Sequence, residues 1–120
     1  MFMNAIVISG AVPESKFYDQ LTGEEKLGYV VELTVLDADT TEKYVCQFST
    51  GFQGLEELKE MRRHGASSDE LRQRAGQIEA NELPQQLSSL QLEVLKFKGK
   101  QAAFLKLVCR FAQVAAQAVA

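Results

Sequence analysis

The chain has few of the residues on which metal, redox and catalytic sites depend. Its 120 residues include two cysteines, one histidine and two prolines. It contains no Cys-x-x-Cys or His-x-x-x-His spacing, which argues against a protein-bound metal ion. It also has no Gly-rich phosphate-binding loop, and no nucleophile with a plausible histidine partner. We therefore expect a protein that is not an enzyme and holds no cofactor.

Long apolar runs are also missing from the sequence. The start MFMNAIVISGAV lacks the basic region of a secretory signal, and no run of about twenty apolar residues follows. We therefore expect a cytoplasmic protein that binds neither a membrane nor a small-molecule substrate. In that compartment Cys46 and Cys109 are expected to be reduced core residues. The composition, 46% hydrophobic and 24% charged, is typical of one folded domain.

Charge is distributed unevenly along the chain. The formal net charge is −3, but residues 1–91 carry eight Lys/Arg and fifteen Asp/Glu, a balance of −7. Residues 92–111, LEVLKFKGKQAAFLKLVCRF, carry five Lys/Arg and one acid, a balance of +4. Because a ligand responds to the local field, this basic segment could bind an anion on an otherwise acidic molecule.

The first half of the chain has the patterns of β-strands. Residues 4–12 form a β-branched run with a bend predicted near Gly10. Residues 13–28 are polar and are predicted to form a long hairpin connection. On either side of the turn DADTT, apolar and polar residues alternate from Tyr29 and again up to Phe48, which predicts a hairpin. Together these segments predict a meander of three antiparallel strands.

A helical pattern follows, with apolar residues recurring at Phe52, Leu55, Leu58 and Met61. Acids come first and bases last in this helix, as the helix dipole favours. Ser49 or Thr50 is predicted to cap its start. The sequence SSDE from Ser67 predicts a capping box for a second helix, which must stop before Pro84. The helical insert therefore spans residues 52–83.

The basic segment is predicted to form two closing strands. Gly99 supplies the turn between them. A helix is the competing interpretation for residues 104–118, because polar residues recur there at spacings of four, three and four. We favour a strand to about Phe111, which ends a domain of residues 1–111, and a helical or frayed alanine-rich tail of residues 112–120.

Side-chain alternation divides these closing strands into two layers. On the last strand, Lys106 and Arg110 share one face, and Leu105, Leu107, Cys109 and Phe111 share the other. On the preceding strand, Lys96 and Lys98 share a face that opposes Leu95 and Phe97. We therefore expect the basic side chains outside and Phe97 and Phe111 in the core.

The resulting order, β-β-β-α-β-β, is that of an OB-fold barrel. Closing a five-stranded antiparallel sheet removes its exposed edges, and a helix between strands three and four covers one end. The predicted fold class is thus mainly β with a helical insert, an OB-fold-like barrel.

The opening NAIVISGAV, the aromatic residues of the first hairpin loop, the short length and the final basic hairpin resemble the small single-stranded-DNA-binding proteins of filamentous phages and prophages. More distantly, the chain resembles OB-fold primosomal and bacterial single-strand-binding proteins. The resemblance covers most of the chain and rests on element order. It implies a homodimer that coats single-stranded DNA, with little sequence preference, during phage-type or plasmid-type replication in the host cytoplasm.

The chain departs from these families in two respects. Its tail, AQVAAQAVA, has no acid, whereas bacterial single-strand-binding proteins have an acidic tail that recruits partners. The insert of residues 52–83 is also longer than a single plugging helix requires. The first departure argues against recruitment through the tail, and the second suggests an added surface, for example for dimerisation.

Single-strand binding needs cations for phosphates and aromatic faces for bases. The candidate residues are Lys16, Phe17, Tyr18, Lys26, Tyr29, Lys43, Lys96, Lys98, Lys106 and Arg110. Phe17 and Tyr18 are the stacking candidates, and either ring could instead fold back to close the barrel mouth. The lysines could instead form a solvated strand face. The alternative function is an OB-fold protein–protein interaction or assembly module without nucleic-acid binding, which the acidic balance of residues 1–91 favours.

Overall fold

A computed structural model describes residues 1–101 and 103–112 of the chain. The strands and helices, in chain order, are β1 Phe2–Ala11, β2 Glu14–Tyr18, β3 Glu25–Tyr29, β4 Val31–Asp37, β5 Lys43–Phe48, α1 Gln53–Arg63, α2 Ser68–Asn81, β6 Ser89–Gln101 and β7 Phe104–Phe111. The strand interpretation of residues 104–111 is therefore confirmed. The rest of the competing helix and the predicted tail, from residue 113 onward, lie outside the described residues.

Five of the strands close into a barrel in the order β1-β4-β5-β7-β6. The β5–β7 pair is parallel, with Val45 opposite Lys106, and the other barrel pairs are antiparallel. Both helices lie in the connection between β5 and β6. This is an OB-fold-like barrel with a helical insert, so the predicted fold class is confirmed.

The core follows from side-chain alternation along the barrel strands. Inward-facing residues such as Leu33, Cys46 and Phe48 are fully buried, and the helices close one end of the barrel with Leu55, Leu58, Leu71, Ala75 and Ile78. Phe111 stacks on Phe48 with ring centroids 5.2 Å apart, so it belongs to the core as predicted. Cys46 and Cys109 are buried and unbridged.

The prediction that Phe97 lies in the core is wrong, because this residue is 61% exposed. The pairing of β6 with β7 shifts register twice, between Val94 and Lys96 and between Phe97 and Gly99. Each shift breaks the strict alternation from which a core position was predicted. The expected division of β6 into a basic face and an apolar face is therefore wrong.

The helices confirm one predicted cap and contradict the other. Ser67 and Glu70 form the reciprocal capping box that starts α2. In contrast, α1 starts after Phe52, and no side chain among the described residues caps it. Gly54 allows the two helices to approach closely, since a Cβ there would lie 2.7 Å from Cδ1 of Ile78.

The long connection of residues 13–28 forms a hairpin of its own. Strands β2 and β3 pair antiparallel, with Glu14 opposite Tyr29 and Phe17 opposite Lys26, as a separate two-stranded sheet. The guanidinium of Arg62 in α1 donates a 2.9 Å hydrogen bond to the carbonyl of Leu27 in β3. The hairpin is thus anchored to the first helix. No helix within the described part of the chain is long and apolar enough to cross a membrane.

Candidate nucleic-acid interface

A cleft opens between the β2–β3 hairpin, α1 and the end of β5. It consists of two adjoining depressions of about 360 and 390 Å³ that share Phe17, Lys59 and Arg62. We call it the basic cleft, and define it by Phe17, Lys26, Gln47, Lys59, Arg62 and Arg63. OB folds bind oligonucleotides over their second and third strands, beside the loop that joins the first two. Here β4, β5 and the hairpin occupy those places.

Local structure places these side chains on the cleft. Phe17 lines the cleft from β2, and because side chains alternate along a strand, Lys16 and Tyr18 lie on the other face of the hairpin. On α1, Lys59, Arg62 and Arg63 follow the spacing i, i+3 and i+4, which places them on one helical face. A strand and a helix thus supply opposite walls.

Arg62 is the most constrained cation of the cleft. Its guanidinium carbon lies 4.7 Å from the centroid of the Phe17 ring, and its Nη1 donates to the carbonyl of Leu27. Gly28 makes room for both groups, because a Cβ there would lie 3.1 Å from Phe17 Cε1 and 3.3 Å from Arg62 Nη1. Both partners of Arg62 are neutral. Its positive charge is therefore available to an anion.

Lys98 has a similar neutral partner at the margin of the cleft. Its ammonium donates a 2.9 Å hydrogen bond to the side-chain oxygen of Gln47, which lines the cleft. Neither Lys98 nor Arg62 forms an ion pair with a carboxylate of the described residues. Arg62 thus lines the depression, and Lys98 lies at its margin, each with its charge uncompensated by a carboxylate of the described residues.

The remaining cleft cations have acidic partners. Lys26 pairs with Asp19 at 2.8 Å, Lys59 with Glu56 at 3.2 Å and Arg63 with Glu60 at 2.7 Å. The hydrogen bond from Lys26 holds the pKa of the Asp19 carboxyl below its usual value. These pairs are solvent-exposed, so each can open at a small free-energy cost to meet a phosphate.

Two of the cations predicted to bind phosphate form ion pairs with acidic residues of the fold. Lys106 forms an ion pair with Glu32, and the two side chains are only 17% and 13% exposed. Arg110 pairs with Glu93 at 2.7 Å, and its hydrogen bond holds the pKa of the Glu93 carboxyl below its usual value. Lys106 therefore neutralises an acid on the outer face of the barrel.

The other predicted residues are dispersed. Lys16 pairs with Glu25 on the outer face of the hairpin, and Lys43 is exposed at the start of β5. Lys96 lines a different groove, at the end of the barrel opposite the helices. Of the ten predicted residues, the structure brings Phe17 and Lys26 into the cleft, with Tyr29 and Lys98 at its margin.

The aromatic candidates are also divided between the cleft and other parts of the surface. Phe17 faces the cleft with 38% of its surface exposed, whereas Tyr18, 73% exposed, lies on the outer face of the hairpin. The hydroxyl of Tyr29 is buried and has no hydrogen-bond partner among the described residues. Burial, and then the nearby negative charge of Glu14, raises the pKa of Tyr29.

Sequence reasoning missed the helix wall of the cleft. The basic residues at the end of α1 were explained by their favourable interaction with the helix dipole, so they were not considered as ligand-binding residues. Their spacing at Lys59, Arg62 and Arg63 was the available signal. That this helical face lies against the β2–β3 hairpin could not be known from the sequence.

Comparisons of the chain with protein-family models, with curated proteins and with solved structures each return no significant match. The OB-fold-like architecture is therefore shown by the strand order of the barrel. The resemblance to phage single-stranded-DNA-binding proteins stays a hypothesis.

Proposed function

We propose that the protein is a non-catalytic, largely sequence-independent binder of single-stranded DNA, and that the basic cleft is its binding site. One observation carries the proposal. Arg62 lies on the Phe17 ring and is held by neutral groups, and Lys98 is held at the margin of the cleft by the neutral amide of Gln47. Neutral partners position a cation without consuming its charge, as an anionic ligand requires.

The cleft supplies both components of single-strand binding. Arg62 and Lys98 would contact successive phosphates, and the exposed part of the Phe17 ring would stack against a base. A stacked base contributes about 1–3 kcal/mol by alanine substitution, and it does so for every base type. Binding of this kind has little sequence preference.

The acidic balance of the chain is compatible with this proposal. Glu32 lies on the outer face of the barrel that continues from the cleft, and it is paired with Lys106. Asp19, Glu56 and Glu60 are paired with cleft cations. A phosphate that approaches the cleft therefore meets few unpaired carboxylates.

The proposed cellular role follows from the resemblance. A protein of this kind would coat single strands during phage-type or plasmid-type replication and keep them from forming a duplex. The homodimer that the resemblance implies would present two clefts, which raises the avidity for one long strand.

Titration of a fluorescent oligo-dT at several salt concentrations tests the proposal. Each phosphate neutralised on a single strand contributes about −0.7 to the slope of log affinity against log salt, so the two free cations predict a slope of about −1.4 or steeper. A duplex of the same length should bind more weakly, because its bases cannot reach Phe17. No binding at low salt, or binding that does not respond to salt, would remove the proposal.

A further inference from the structure

A second surface, at the end of the barrel opposite the helices, is independent of the basic cleft. An apolar groove of about 380 Å³ is lined there by Phe2, Tyr44, Leu95, Lys96, Phe97 and Leu105, among others. Phe2 is 70% exposed and Phe97 is 61% exposed. Rings this exposed and adjacent mark an interaction surface rather than scattered surface residues.

The groove lies beside an open strand edge. Strand β6 pairs with β1 only as far as Glu93, opposite Phe2, and the last bond runs from the Val94 amide to the Met1 carbonyl at 2.8 Å. Beyond that point β6 continues to Gln101, paired with β7 alone among the described residues. Residues 95–101 therefore present backbone donors and acceptors to an additional strand, which would lie in line with β1, beyond its first residue.

The positive charge on this edge favours an acidic binding partner over a second copy of the chain. Lys96 and Lys100 lie along it, on opposite faces of β6, because they pair with Val108 and Leu105 of β7. Lys98 is held by Gln47 of the basic cleft. A second copy that paired its own edge antiparallel about a two-fold axis would bring the lysines of both copies into one short segment, where like charges are destabilising. An acidic strand would instead meet each lysine with an opposite charge.

We propose that residues 95–101 and the apolar groove bind an extended protein segment that carries both acidic and apolar residues. The segment adds a strand to β6, its apolar side chains pack against Phe97 and Phe2, and its carboxylates pair with Lys96 and Lys100. Main-chain hydrogen bonds supply affinity and the alternating side chains supply specificity, as in other cases of strand addition. The site does not depend on the basic cleft or on its ligand.

The peptide EVEVEVE, blocked at both ends and labelled with a fluorophore, is the probe for this site, and KVKVKVK is its charge-reversed control. We expect the acidic peptide to bind the full chain saturably and the basic peptide not to bind. Amide hydrogen exchange of residues 95–101 should slow when the acidic peptide is added. Failure to saturate below about 1 mM, equal binding of the two peptides, or unchanged exchange would overturn the proposal.

Two variants test whether the peptide binds in the apolar groove or elsewhere on the surface. Phe97→Ala should weaken peptide binding by about tenfold or more and leave oligo-dT affinity unchanged. Leu21→Ala is the matched control, since Leu21 is 96% exposed on the distant hairpin turn, and it should change neither. The proposal is wrong if oligo-dT displaces the peptide, because the occupant of the groove would then be nucleic acid. It is also wrong if sedimentation shows a dimer that Phe97→Ala dissociates, because the occupant would then be a second copy.

Discussion

The guanidinium of Arg62 lies 4.7 Å from the centroid of the Phe17 ring, across the gap between α1 and the β2–β3 hairpin. This contact joins two segments that are distant in sequence and that face a common depression. It fixes an aromatic face and a cation in one orientation. The first predictions concern this pair.

Phe17→Ala should lower oligo-dT affinity by about 1–3 kcal/mol, because it removes the stacking ring and releases Arg62 from its position. Tyr18→Ala is the control, since Tyr18 is the more exposed ring but lies on the other face of the hairpin. Fluorescence titration of both variants at one salt concentration measures the difference. A larger loss for Tyr18→Ala would place the stacking surface on the outer face.

Gly28→Ala should impair the site with little effect on the barrel. The added Cβ would lie 3.1 Å from Phe17 Cε1 and 3.3 Å from Arg62 Nη1, so the ring and the guanidinium must move apart. We expect a several-fold loss of oligo-dT affinity and a nearly unchanged thermal midpoint. Gly76→Ala serves as the control, because a Cβ at Gly76 meets no atom within 4 Å and alanine favours the helix. Equal affinities of the two variants would contradict the geometry of the cleft.

Lys98→Gln should make oligo-dT binding less sensitive to salt. Loss of one phosphate contact reduces the magnitude of the log–log slope by about 0.7. Lys16→Gln removes the same charge from the outer face of the hairpin, where Lys16 pairs with Glu25 at 3.8 Å, and should leave the slope unchanged. Identical slopes for the two variants would show that only overall charge matters.

Lys106→Ala should affect stability more than binding. It leaves Glu32 partly buried without its cation, which we expect to cost about 3 kcal/mol in the free energy of unfolding. Arg110→Ala breaks the more exposed pair with Glu93 and should change the free energy of unfolding much less than Lys106→Ala does. Urea denaturation measures both. If Lys106→Ala leaves stability unchanged but weakens oligo-dT binding, Lys106 contacts phosphate as the sequence first suggested.

Tyr29→Phe should increase the stability of the protein by about 1 kcal/mol. The Tyr29 hydroxyl is buried without a hydrogen-bond partner among the described residues, so its removal relieves a desolvation cost. Thermal and urea denaturation provide the measurement. A loss of stability would show that the hydroxyl has a partner, with the nearby Glu14 as the first candidate.

The barrel was predictable because local pattern and fold agree along most of the chain. Alternation around Leu33 and Cys46 identified the core faces, and SSDE at Ser67 identified the start of α2. The prediction failed at Phe97, where two register shifts in β6 interrupt alternation, and sequence carries no direct signal for such shifts.

The candidate site was predictable only in part. Phe17 stood out because a large ring in a polar connection has no core position to fill. Arg62 did not, because its partners, Phe17 and the carbonyl of Leu27, are 45 and 35 positions away in the chain. The pairing of Lys106 with Glu32 was hidden for the same reason. Sequence indicates which side chains carry charge, and the fold decides which of them remain available.

The parallel pairing of Val45 with Lys106 also has a consequence for synthesis on the ribosome. Strands β1, β4 and β5 can pair as soon as they emerge, but β5 has no partner on its other side until β7 is made. During that interval a nascent chain exposes a strand edge that contains Val45 and Cys46, both buried in the finished barrel. Aggregation during expression should therefore respond more strongly to charged substitutions in β5 than the stability of the mature fold would suggest.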